Sequence, residues 1–94
     1  MDKQQRYSQT EKTLKKYFID SVNNEEGLKK YKGTHLESAI TLNLIANLYK
    51  SSLKNFLECR TSLGLTEVEV IEIVKRVTNE TLDIFISNSK QFHV

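Results

Sequence analysis

A chain of 94 residues that is 38 % hydrophobic and 28 % charged, with a net charge of +2, is too apolar to stay disordered and long enough for one small core. Its single cysteine excludes an intrachain disulfide, and no run approaches the roughly 18 uncharged apolar residues of a membrane span. Nothing apolar follows the opening Met-Asp-Lys-Gln-Gln-Arg to act as a secretion signal, so the expected setting is the cytoplasm.

Charge is uneven along the chain. Residues 1–34 carry eight Lys/Arg against five Asp/Glu, and residues 35–94 carry six against seven. There is no proline, and the three glycines, Gly27, Gly33 and Gly64, fall where the apolar periodicity breaks. Punctuation this sparse predicts long helices with short connections. Three helix starts carry one signature, a Ser or Thr followed three residues on by Glu: Ser8 with Glu11, Thr34 with Glu37, Thr66 with Glu69. In that arrangement the hydroxyl accepts from a first-turn amide while the carboxylate reaches back to the cap amide.

The first helix is expected over residues 9–22, with Tyr7, Leu14, Tyr17, Phe18 and Val22 along one face and Lys12, Lys15 and Lys16 on the other. Asn23 and Asn24 favour a break, residues 25–31 can add a turn or two, and Gly33 ends it. The second helix, residues 35–61 behind the Thr34 cap, is apolar nearly all round in its first half, from Leu36 and Ile40 through Leu44 and Ile45 to Leu48 and Tyr49. Such a helix is expected to be buried on every side, either as the centre of the bundle or by lending a face to a partner. Its second half narrows to Leu53, Phe56, Leu57 and Arg60, and Gly64 can close the following turn in the left-handed conformation.

The third helix is expected over residues 67–87. Its stripe is Val70, Ile71, Val74, Val77, Thr78, Leu82 and Phe85 at spacings of three and four. The many β-branched residues weigh toward a strand, but the spacing persists beyond Val74, and Glu72, Arg76 and Glu80 stand at the i,i+4 distances that support a helix. The fold expected is therefore all-α: a single-domain three- to four-helix bundle, the helix after Thr34 central, the helix after Thr66 antiparallel to it, and the ends 1–7 and 89–94 frayed.

No constellation points to catalysis. His35, Cys59 and His93 lie on separate segments without metal-ligand spacing, and Glu25 with Glu26 and Glu69 with Glu72 read as solvated surface pairs. With no glycine-rich phosphate loop either, no metal, no cofactor and no enzymatic activity are expected, and Cys59 reads as an ordinary thiol.

Two binding functions follow. The leading one is a regulatory or adaptor module that buries Leu36, Ile40, Leu44 and Leu48 against a second copy or another protein, with Asn43 and Asn47 either fixing register in the interface or facing solvent. The alternative is nucleic-acid binding through Lys12, Lys15, Lys16, Lys29, Lys30 and Lys32, with Tyr17 and Tyr31 between them. Only three arginines accompany them, and the segment Leu63 to Val77, which resembles the turn and recognition helix of a helix-turn-helix, exposes Glu67, Glu69 and Glu72, the wrong sign for phosphates.

Overall fold

The chain begins its first helix six residues earlier than the Ser8 signature predicts. In the computed structural model, which describes residues 2–86, Asp2 caps a helix α1 over Lys3–Asn23. The Gln5 amide donates to Asp2 Oδ1 at 2.8 Å and the Asp2 amide to Gln5 Oε1 at 3.2 Å, a reciprocal cap in which Gln stands for Glu. Ser8 and Glu11 therefore lie inside a helix, and residues 3–7, expected to fray, are part of it. The other expected frayed end, 89–94, and residue 87 lie outside the described residues.

A five-residue helix α2, Glu26–Lys30, follows Asn24 and Glu25, and Gly33 takes φ +84° in the turn beyond it. The long α3 runs Leu36–Glu58. Its Thr34 cap is only partly formed: the Leu36 amide donates to the Thr34 hydroxyl at 3.3 Å, but the Glu37 amide goes to the Thr34 carbonyl. The helix expected to continue to residue 61 breaks at Cys59, and a single turn α4, Arg60–Leu63, leads to Gly64 at φ +72°. There the Leu65 amide reaches back to the Arg60 carbonyl at 3.0 Å, the closure that only a glycine adopts without strain. The guanidinium of Arg6 lies across Gly64 where a Cβ would stand, so the first turns of α1 sit beside this turn. The third predicted signature forms in full and starts α5, Glu67–Ile86: the Thr66 amide donates to Glu69 Oε1 at 2.9 Å and the Glu69 amide to the Thr66 hydroxyl at 3.2 Å.

The described residues form no strand. The β-branched run of α5 stays helical because tertiary burial outweighs its propensity. Val70, Ile73, Val74, Val77 and Thr81 are wholly buried, and the Thr81 hydroxyl, sealed from water, donates to the Val77 carbonyl at 2.7 Å. The predicted stripe omitted Ile73 and Thr81 and included Ile71 and Thr78, which are only half-buried. The reason is that α5 is covered from two directions. It packs extensively against both α3 and α1, which touch each other far less, and the molecule is accordingly flat, 45 × 27 × 19 Å. Expected at the centre, α3 is the longest helix, yet it buries only Thr41, Ile45, Leu48 and Ser52 and leaves Leu36 44 % and Leu42 40 % exposed.

One core cluster joins Leu14 and Phe18 of α1 and Leu48 of α3 to the first half of α5, and a second joins Val22, Leu28 and Ile45 with Leu82 and Phe85 packed against them. These pairings make α3 antiparallel and α1 parallel to α5. The parallel pair is lined by a polar ladder: Lys3 with Glu69 at 3.0 Å, Tyr7 with Glu72 at 3.4 Å, Glu11 with Arg76 at 3.2 Å and Lys15 with Glu80 at 2.8 Å. Each exposed contact is worth only about 0–1 kcal/mol. Sliding α1 by one turn, however, sets Glu11 against Glu80 or Glu72, so the ladder fixes register more than it adds stability.

Replacing Ile73 by Ala should cost about 2–5 kcal/mol, because a fully buried side chain leaves a cavity. Ile84→Ala, at a position 50 % exposed, should cost less than about 0.5 kcal/mol. Chemical denaturation of the two variants checks this, and equal costs would contradict the packing.

Candidate interaction surface

Because α1 and α3 cover two sides of α5, the outer seam between α3 and α5 stays open. It forms a groove of about 440 Å³ lined by Leu42, Ile45, Ala46 and Tyr49 from α3 and by Lys75, Thr78, Asn79 and Leu82 from α5, with nothing from α1. Both sets recur at three- and four-residue spacing, so each is one stripe of its helix. Because α3 and α5 run antiparallel, Leu42 stands toward the Leu82 end of the groove and Tyr49 toward the Lys75 end. The same spacing carries the stripes on through Leu53 and Phe56 on α3 and Ile71 and exposed Val68 on α5.

Polar groups in the groove are few. The Thr78 hydroxyl donates to the Val74 carbonyl at 2.7 Å, which leaves the Tyr49 phenol, the Asn79 amide and the exposed Lys75 ammonium. Lys75 is in no ion pair among the described residues. An apolar floor with a few polar groups at its edge binds apolar side chains and orients them by a single charge.

The residues singled out from the sequence are dispersed. Leu48 is buried in the first core cluster, Leu44 packs against both clusters and Ile40 against the second. Leu36, Asn43 and Asn47 are exposed, and the two asparagines face solvent. No single face of α3 presents all six. What the sequence reading missed is which side of an evenly apolar helix stays uncovered, and nothing in the sequence singled out Lys75 and Asn79 across from it.

The lysines divide in the same way. Lys15 is bound to Glu80 and Lys29 to Glu26 at 3.3 Å, while Lys30 sits over the Tyr31 ring at 5.5 Å. Lys12, Lys16 and Lys32 are exposed, as is Tyr17. Beside α2 a second, more polar groove of about 220 Å³ is lined by residues of both signs, among them Glu25, Lys29, Lys32 and Glu37.

Among the described residues no three His, Cys, Asp or Glu side chains gather to hold a metal, and no helix is long and apolar enough to cross a membrane. His35 stands just before α3 without capping it and Cys59 is exposed; His93 lies outside the described residues. The shifted acid–base groups belong to the ladder and the cap. Burial pushes the Tyr7 phenol above its usual value against the opposing pull of Arg76, which keeps it a donor to Glu72. The Thr66 backbone amide, and after it the Lys3 ammonium, hold the Glu69 carboxyl below its usual range. Comparison with known protein families, with curated proteins and with solved structures finds no match.

The lowered Glu69 pKa stabilises the folded state fully above the ordinary carboxylate range, and that contribution is lost as pH falls through the lowered value. Acid unfolding followed by circular dichroism should therefore lose part of its pH dependence in Glu69→Gln. An unchanged acid transition in that variant would contradict the cap geometry.

Proposed function

We propose that the chain is a non-enzymatic interaction module, regulatory or adaptor in kind, that packs the apolar helical surface of a second polypeptide chain along the α3–α5 groove. The carrying observation is the groove itself, an apolar strip two helices wide along a side of α5 that the described residues leave uncovered. Helices presenting apolar residues at three- and four-residue spacing cover such a strip and complete a bundle with α3 and α5. The docking face therefore centres on Leu42, Ala46 and Leu82, since Leu48 is already part of the core.

The test is a photo-crosslinking amino acid placed at Leu42, at Ala46 or, on the outer face, at Asn43, in the cells that make the protein. A discrete adduct from the first two positions and none from Asn43 is the expected result. No adduct from the groove positions, or the same adducts from all three, overturns the proposal.

One observation favours the nucleic-acid reading: Lys12, Lys16, Lys30 and Lys32 have no acidic partner among the described residues. Lys15 and Lys29, however, are already neutralised. On the interaction reading, a random DNA duplex at physiological salt binds no more tightly than about 10⁻⁴ M. Tighter, salt-sensitive binding that is lost when the four free lysines become Gln would favour the alternative.

A further inference from the structure

We infer that the occupant of the α3–α5 groove is the same groove of a second copy, the two chains being related by a two-fold axis that runs along the helices. This inference rests on the groove reading of the preceding subsection and names its partner.

Self-complementarity carries it. The α3 stripe from Leu42 to Phe56 and the α5 stripe from Val68 to Leu82 have equal length; the groove itself spans residues 42–49 and 75–82, and Phe56 also packs against its own core cluster. Lys75 is the single charge in either stripe, and toward its end of the groove on the other helix stands an aromatic ring, Tyr49. Among the described residues the cation–π contacts are Lys30 with Tyr31 and Arg76 with Tyr7, so Lys75 does not lie over Tyr49 of its own chain.

Two arrangements bring two such grooves together with every neighbouring pair of helices antiparallel. With the axis across the helices, α5 faces α5, and full overlap of the stripes sets one Lys75 against the other inside an apolar strip, which like charges oppose. With the axis along the helices, each α5 lies on α3 of the second copy. Leu82 then meets Leu42, Val68 meets Phe56, and Lys75 meets the ring of Tyr49, where a cation is favoured. The single charge thus selects the second arrangement, a four-helix core made of two α3–α5 hairpins, with each α1 on the outer side. An isologous contact of this kind is the commonest route by which a small domain enlarges its core.

The experiment is sedimentation velocity over a concentration series, with circular dichroism as the check on folding. The wild-type chain should move from 10.9 kDa toward twice that mass as concentration rises. Ala46→Arg, which fills the groove, should stay monomeric with unchanged helicity. Lys75→Glu, an exposed change that leaves the fold intact, should weaken the dimer about tenfold, and Lys75→Ala should weaken it less. A wild-type monomer at every concentration overturns the second copy, and a groove adduct with a different protein then leaves the groove reading standing. A dimer that survives Ala46→Arg places the contact elsewhere. A dimer tightened by Lys75→Ala means that the lysines face each other and overturns the axis.

Discussion

Everything in this molecule depends on sealing one stripe of α5. Val70, Ile73, Val74, Val77 and Thr81 reach zero exposure in a chain too short to surround a helix completely. Sealing requires cover from two directions, and the chain has two other long helices to give. Once α1 and α3 are spent on α5, no other long helix among the described residues is left for the far side of α3. Leu42 and Leu36 stay exposed for that reason, and the groove beside Leu42 is the geometric remainder of the same packing.

The polar devices around this core set position more than stability. Two reciprocal caps, at Asp2 and at Thr66, start the two helices that run side by side, and the ladder from Lys3–Glu69 to Lys15–Glu80 fixes their register. The charges Glu72, Arg76 and Glu80 look from the sequence like an intrahelical i,i+4 series. In the structure Glu72 and Arg76 turn outward to Tyr7 and Glu11, and Glu80 to Lys15, because α1 lies along that face. Hydroxyls inside the core, such as Thr81, are satisfied by the carbonyl one turn back, so burying them costs no unpaired group.

The helical class, the three long helices, the short turn of helix at α2 and the Gly64 turn were legible from periodicity and punctuation, whereas the break at Cys59 that makes α4 a separate turn was not. Boundaries were less so. The Ser8 signature lost to Asp2 because a capping pattern inside a long helix is only a surface sequence, and Gln5 serves in place of the expected Glu. Burial was legible where a stripe faces one neighbour, as in α1 with Leu14, Phe18 and Val22, although Tyr17, expected on the same face, is 53 % exposed. It was not legible in α5, where two neighbours widen the stripe to Ile73. Nor was it legible in α3, where an even apolar pattern gives no hint of the uncovered side. Hence the expected face of Leu36, Ile40, Leu44 and Leu48 divides between core and solvent, and the groove is a property of the assembled helices that no single segment encodes.

The central claim is the order of the helices, with α1 parallel and α3 antiparallel to α5 and the start of α1 beside the Gly64 turn. The native Cys59, single and exposed at the end of α3, allows it to be tested without any substitution. A nitroxide attached there should broaden amide resonances of the first turns of α1 and α5, near Arg6 and Thr66, and leave α2 and the last turns of α5 sharp. Broadening centred on α2 or on the end of α1, with residues 3–7 unaffected, would contradict the account.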